Sequence, residues 1–491
     1  MLFNSWSFLV LLIATFITFY SVPKCKYRYV LQSCILLIAS TIFYGWEDWR
    51  LLGLLAVSCG GNAFAALQIL ACKALGKEKS AKRWVFYAVV LNLLLLGTFK
   101  YAGLLVSTIP GIPDDVCKWV TSIPLPIGIS FYTFHGISMV VDIGRGRVQS
   151  YNEPIREQGK LKILPRCMRD MALYLLFFPQ LIAGPIIKAH FFWPQLKSKL
   201  FSSIQWGRAF RYIVTGYFFK MVIADNLSTV TQVLKMPSYV AVADSFSLVM
   251  MLLGYSVQIF ADFAGYSMIA IGLAALFGYR FPINFNFPYI SKSLTEFWRR
   301  WNMTLSAWLR DYLYIPLGGS RCGVWRTYLN LFIVMFLGGL WHGADWKFAL
   351  WGGLHGLVLA LERLITKREW WFGKRIPNFI KIAYACFIVC CLWTTFLMPD
   401  IETVGLFFYR VFIVPDFSLS MNATLLTYYN VLFFSAFVLL YHIYGYWREE
   451  SRHGMGFGLR HPRLSGVVYG FMIFMILTNS GPQAGFVYFQ F

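Results

Sequence analysis

Residues 327–344 read TYLNLFIVMFLGGLWHGA, eighteen consecutive positions without a formally charged side chain. Wound as a helix at 1.5 Å per residue, such a run is ~27 Å long, close to the thickness of a bilayer's hydrocarbon core. One ionisable residue, His342, lies near its far end. Counting from Thr327, about fourteen residues of regular helix place that imidazole roughly 20 Å from the basic end of the segment. Ionisable side chains at such depth are costly and face a bundle interior or a cavity, so the stretch reads as a membrane-spanning helix carrying a functional histidine.

The rest of the 491-residue chain agrees with that reading. It is 58% hydrophobic and only 13% charged, against roughly 25% charged in soluble proteins, which excludes an ordinary soluble enzyme. Apolar runs recur from Phe3 almost to the C-terminus and are too long for the alternating strands of an outer-membrane barrel. The expected fold class is an all-α polytopic membrane protein of about twelve crossings, near 3–22, 29–46, 51–71, 84–106, 123–143, 207–224, 245–278, 327–344, 346–366, 378–398, 424–446 and 465–482. No internal repeat or soluble domain is visible, so residues 1–491 read as one membrane domain. The start of the chain lacks a basic segment and a small-residue cleavage site, and residues 3–22 read as a retained first span.

The 44 Lys and Arg against 22 Asp and Glu would suggest nucleic acid as a partner in a soluble chain. Here the excess falls in alternate loops, from Lys24–Arg28 and Lys73–Arg83 through Arg280–Arg326 to Arg448–Arg463. The positive-inside bias then assigns those loops to the cytoplasm, facing anionic lipid, with both chain ends outside and no nucleic acid as partner. Residues 171–187 break the alternation. They are apolar yet lie between two basic loops, and they contain Pro179, Gly184 and Pro185. Broken backbone at membrane depth survives only when buried in protein or lining a cavity, so this segment is expected to be a re-entrant hairpin. Residues 280–326 mix tryptophan and tyrosine with arginine and are expected to lie at the interface, lining a cytoplasmic entrance.

Candidate chemistry centres on His342. A neutral imidazole accepts a proton from an attacking hydroxyl at cellular pH, and Gly338, Gly339 and Gly343 allow backbone or a flat ligand to come close. Trp341 beside it and His355 on the next span are supporting candidates, His355 as an orienting or packing residue rather than a second base. Arg299, Arg300 and Arg310, with Trp298 and Trp301 among them, are candidates for holding a phosphate-bearing donor, because guanidinium forks match phosphate geometry. Simple anchoring at the basic face is the competing role for these arginines. Asp311 is expected to pair with a neighbouring arginine. The ten cysteines lie mostly in apolar runs without ligand spacing, and neither disulfides nor a metal site is expected.

Histidine among small residues does not by itself specify a reaction. A broader set of motifs does: PLPIGISFYTF (Pro124–Phe134), FFPQLIAGP (Phe177–Pro185), DFAGYS (Asp262–Ser267), FPINFNFPY (Phe281–Tyr289), FWRRWNMTLSAWLRDYLYIPLGG (Phe297–Gly319), LGGLWHGADW (Leu337–Trp346) and the terminal FVYFQF (Phe486–Phe491). On these, the chain resembles the membrane-bound O-acyltransferase (MBOAT) family, within it the bacterial polysaccharide O-acetyltransferases of the alginate-acetylation type. The resemblance runs from residue 1 to 491 and is weaker between about 366 and 465.

The resemblance implies a bundle with re-entrant and interfacial helices around a catalytic tunnel, in a bacterial cytoplasmic (inner) membrane. It also implies acetyl-coenzyme A as donor substrate rather than a permanently bound cofactor, and the histidine of the WHG motif, His342, at the centre. The implied acceptor is a periplasmic SGNH-type acetyltransferase, which passes acetyl to an exopolysaccharide or cell-wall glycan. This chain departs from its branch by carrying Asn302 after Arg299-Arg300-Trp301, where relatives usually have histidine, and Leu392–Phe396 where they have a WVFFRA-like run. An amide takes no proton but can orient a hydroxyl, so His342 is assigned as general base or transient acyl acceptor and Asn302 as positioning group. Two other readings use the same parts: a D-alanyl transferase fed by a carrier-protein thioester, and a proton-coupled transporter.

Overall fold

A computed structural model of the chain describes residues 1–122, 124–148, 151, 154, 155, 157, 159–367, 376–416, 425–450 and 462–486. Residues 487–491 of the terminal motif lie outside them. Among the described residues every regular element is helical. The principal helices are α1 (Trp6–Ser21), α2 (Arg28–Gly45), α3 (Leu51–Ala74), α4 (Glu78–Leu96), α5 (Ile129–Gly144), α6 (Lys160–Leu176), α7 (Trp206–Tyr217) and α8 (Ser245–Leu276). There follow α9 (Leu294–Arg300), α10 (Met303–Leu309), α11 (Val324–His342), α12 (Trp346–Lys367), α13 (Asn378–Leu397), α14 (Leu425–Glu450) and α15 (Pro462–Thr478).

Eight helices in the described residues are long and apolar enough to cross a membrane, α4 reaching that length through its continuation to Thr108; Trp6–Ser21 and Arg463–Thr478 are shorter apolar helices. Two of the twelve expected crossings differ in kind. At 123–143 the helix starts only at Ile129, because Pro124 and Pro126 precede Gly128, which turns the chain at φ 77°. At 207–224 the α-helix stops at Tyr217 and continues as a wider π-helical turn through Phe218–Ala224.

The chain forms two compact units. The first comprises residues 1–210 and 270–282. Its core includes α3, α4 and α5, where Asn62 and Asn92 exchange side-chain hydrogen bonds (3.0 and 2.7 Å), a closed amide pair that satisfies both groups away from water. Gly136 of α5 lies against that pair; a Cβ there would come within 2.7 Å of Asn62. In the stretch 171–187, α6 begins upstream at Lys160 and its ladder breaks at Phe177 (φ −56°, ψ 110°), just before Pro179. The amide of Phe178, freed by the break, donates to Ser40 Oγ (3.0 Å). Buried Asp142 binds His190 Nδ1 (2.7 Å) and Arg147 (3.3 Å).

The second unit comprises residues 211–269 and 283–491. Its hydrophobic interior holds a charged cluster in which Lys220 Nζ lies 2.8 Å from Asp225 and 2.7 Å from Asp262, and donates to the carbonyl of Ala484 (3.0 Å). The chain after α15 is held nearby: Gly481 N donates to the Met221 carbonyl (2.9 Å), and Asn226 Nδ2 to the Asn479 carbonyl (2.8 Å). These bonds give partners to backbone groups of a chain segment that has left its helix.

Candidate active site

Helices α11 and α12 form an antiparallel hairpin whose backbones touch. A Cβ on Gly339 would stand 2.2 Å from the Phe348 carbonyl oxygen and 2.9 Å from Gly352 Cα, and one on Gly352 would stand 2.2 Å from the Met335 carbonyl oxygen. Small residues allow this approach, as they do between membrane helices generally. The hairpin fixes His342, the last residue of α11, against the first turns of α12. Its imidazole meets the rings of Trp341, Trp351 and Phe396 with centroids 5.0, 5.1 and 5.5 Å away. Gly343, the next residue, leaves room for the Phe348 ring.

His342 is 3% exposed and lines a cavity of about 810 Å³. The wall on α11 is a helical stripe, Leu331, Val334, Met335, Gly338 and His342, at spacings of three, one, three and four residues. Opposite it α10 contributes Leu305, Ser306 and Leu309, and the wider π-helical turn Arg310–Tyr314 adds its two end residues. Segment 292–299 supplies Lys292, Ser293, Thr295, Trp298 and Arg299, and α12 supplies Trp351, Leu359, Glu362 and Arg363. Cations therefore gather away from the histidine. Arg299, Arg310 and Arg363 are exposed, Lys292 and Lys381 partly so. The lining thus includes exposed or half-buried cationic side chains and the buried imidazole of His342.

The residues expected to matter separate into three groups. Arg299, Arg310 and Trp298 are on the wall, and Asp311 pairs with Arg310 (2.8 Å). Trp298 also donates through Nε1 to His355 Nδ1 (3.3 Å). That bond makes Nδ1 an acceptor, which in a neutral ring leaves the proton on Nε2. His355 is 1% exposed and separated from His342 by the Trp351 ring, at 4.6 Å from one histidine and 5.1 Å from the other. Its ring contacts both Trp298 and Trp351.

Arg300 and Trp301, expected among the donor-holding candidates, are not among the residues that line the cavity. The guanidinium of Arg300 is held by Glu296 (2.6 Å) and Glu449 (2.6 and 2.8 Å) and by the Asn286 carbonyl (3.3 Å). Its fork is used within the protein. Trp301 is 1% exposed in a cluster with Phe285, Phe297 and Trp393.

Asn302 is off the wall as well, in the turn between two helices that line it. It takes a left-handed conformation (φ 41°, ψ 53°), and its carbonyl accepts from Ser306 N (3.0 Å). The Asn-Phe-Asn stretch 284–286 clamps this turn. Asn286 N donates to the Arg300 carbonyl and Met303 N to the Asn284 carbonyl, both at 2.9 Å, while Asn284 Oδ1 accepts from Thr304 Oγ1 (2.8 Å). Asn302 Nδ2 is buried with no hydrogen-bond partner among the described residues.

Sequence reasoning missed Glu362, Arg363, Lys381, Lys292 and Ser306. The signal for Glu362 was present: a single acid within an otherwise apolar helical run, seven residues after His355. Lys292 and Ser306 lie in the 280–326 segment expected to line an entrance but were not singled out within it, and no local pattern marks Arg363 or Lys381.

Fold and site together define a multi-pass membrane enzyme with its histidine in the interior. The family model of the membrane-bound O-acyltransferase family, MBOAT, matches residues 168–399. Over 433 residues the chain is 36% identical to the "Probable alginate O-acetylase AlgI" of Azotobacter vinelandii, covering 87% of this chain and 81% of that relative. It is 33% identical over 389 residues to the peptidoglycan O-acetyltransferase of Helicobacter pylori (75% and 71% covered), and 28% identical over 284 residues to the teichoic acid D-alanyltransferase of Bacillus subtilis (54% and 66%). The chain belongs to the membrane-bound O-acyltransferase family and is an O-acyltransferase.

Proposed function

We propose that the protein takes acetyl from acetyl-coenzyme A on the basic side of the membrane and delivers it toward the other side, where an SGNH-type partner completes O-acetylation of an exopolysaccharide or cell-wall glycan. The observation that carries this reading is the cavity joining five cationic side chains to one buried imidazole. Arg299, Arg310, Arg363, Lys292 and Lys381 suit the donor's phosphates, and the apolar stripe of α11 suits the uncharged arm that bears the thioester. The glycan acceptor is supported by the relatives named for alginate and peptidoglycan O-acetylation.

In this reading His342 removes the proton from the attacking hydroxyl as its oxygen bonds to the acetyl carbon. The carbon–sulfur bond then breaks, and the proton passes from the imidazole to the leaving thiolate. The rings of Trp341, Trp351 and Phe396 hold the imidazole and keep water from the thioester. Asn302 shapes the turn that lets α9 and α10 line one cavity.

Transfer of radiolabel from acetyl-coenzyme A tests the assignment. His342→Ala is expected to lose roughly a hundredfold or more, the usual worth of a general base. Undiminished transfer in that variant refutes it. Arg299→Gln and Arg310→Gln are expected to raise KM for the donor about tenfold with kcat little changed, while Arg300→Gln lowers thermal stability and leaves KM near the parent's. A D-alanyl donor on a carrier protein would meet the same rim; preference for carrier thioester over acetyl-coenzyme A in a competition assay would favour it.

A further inference from the structure

Glu362 is 4% exposed, lies on the cavity wall, and spends its carboxylate on another helix. One oxygen accepts from Leu294 N (2.7 Å); the other accepts from Thr295 N (3.2 Å) and Thr295 Oγ1 (3.5 Å). These are the first two amides of α9. The third, Glu296 N, goes to Ser293 Oγ (3.1 Å), and the fourth, Phe297 N, to the Ser293 carbonyl (2.9 Å). The whole first turn is thus satisfied, half of it by a side chain more than sixty residues away.

A seven-residue helix has no standing of its own, since nucleating so short a segment costs more than its few internal bonds return. Its position must come from where it is tied. Glu362 is seven residues, two turns, beyond His355 on α12, so the two point from the same face. Helix α9 docks along that face at two points: its N-terminus on Glu362, and Trp298 on His355 (3.3 Å). Between and beside these ties are Thr295, Trp298 and Arg299, the three α9 residues that line the cavity.

We propose that Glu362 is a positioning residue for the donor: it holds α9 in the register that turns Arg299 and Trp298 into the cavity. The proposal rests on the reading that this cavity takes the donor. Removing the carboxylate leaves two amides seeking new acceptors and frees one end of α9. Glutamine keeps one acceptor oxygen but sets an amide N–H donor against the second backbone donor, so it restores the tie in part.

The test compares full-length parent, Glu362→Gln, Glu362→Ala and Arg299→Gln in detergent, each checked for a monodisperse, cooperatively melting protein. Two readouts are taken: hydrogen exchange of the peptide spanning 292–301, and KM against kcat for acetyl-coenzyme A. In Glu362→Ala, exchange is expected to quicken roughly fivefold or more and KM to rise by a similar factor with kcat within about twofold, Glu362→Gln falling between. Arg299→Gln should raise KM without moving exchange. Unchanged exchange in folded Glu362→Ala or Glu362→Gln overturns the proposal, and so does faster exchange with unchanged KM. A parent that transfers no acetyl from acetyl-coenzyme A refutes the donor reading instead, while exchange still decides whether Glu362 holds α9.

Discussion

Asn302, expected to face a substrate, takes a left-handed backbone conformation in a buried turn. Left-handed φ costs most residues ~1–2 kcal/mol, and asparagine and glycine tolerate it best. If the turn is what matters, Asn302→Gly keeps acetyl transfer within about twofold of the parent, whereas Asn302→Ala loses roughly 1–2 kcal/mol of stability and transfers less. Thermal melts alongside the radiolabel assay separate the cases. Equal loss of transfer in both variants would return the role to the buried side-chain amide. The αL geometry was hidden in the sequence because it depends on the clamp by Asn284 and Asn286, which lie well upstream. His342 was legible for the opposite reason: one imidazole in an apolar run is conspicuous without any knowledge of its neighbours.

At the scale of elements, the α11–α12 hairpin depends on missing side-chain atoms. At Gly339 a methyl group would be forced to 2.2 Å from the Phe348 carbonyl oxygen, part of a backbone that cannot rotate away. Gly339→Ala is therefore expected to cost ~1–3 kcal/mol through overpacking and to lower transfer, since the same contact sets His342 against Trp351. A variant melting with the parent would show that the helices separate at no cost. The glycines were visible in the sequence and their closeness to something was expected. Which partner each one meets was not: Gly339 meets backbone, Gly343 the Phe348 ring, and Gly338 the cavity and Leu309. Likewise the arginine run at 299–300 gave no sign that adjacent residues would diverge, one to the rim and one to Glu296 and Glu449. Successive helical residues point about 100° apart; Glu296, one turn back on the same helix, and Glu449, far along the chain, decided the rest.

For the molecule as a whole, the bilayer as solvent raises the stakes of every buried charge. Lys220 stands against two carboxylates in the second unit. Lys220→Met would leave both acids without that cation and is expected to destabilise by ~3–5 kcal/mol, with much of the loss recovered when Asp225 and Asp262 are both changed to asparagine. Melting of the single and triple variants in detergent checks this, and a single variant as stable as the parent contradicts it. The amino-acid order was sufficient for the membrane class, most spans and the central histidine, because burial in hydrocarbon demands long apolar runs and makes each polar exception stand out locally. It could not select Lys292, Arg363 and Lys381 among the cavity's cations, the tie from Glu362 to α9 or the left-handed turn at Asn302. Each of those is a contact between residues far apart in the chain, and only packing brings them within bonding distance.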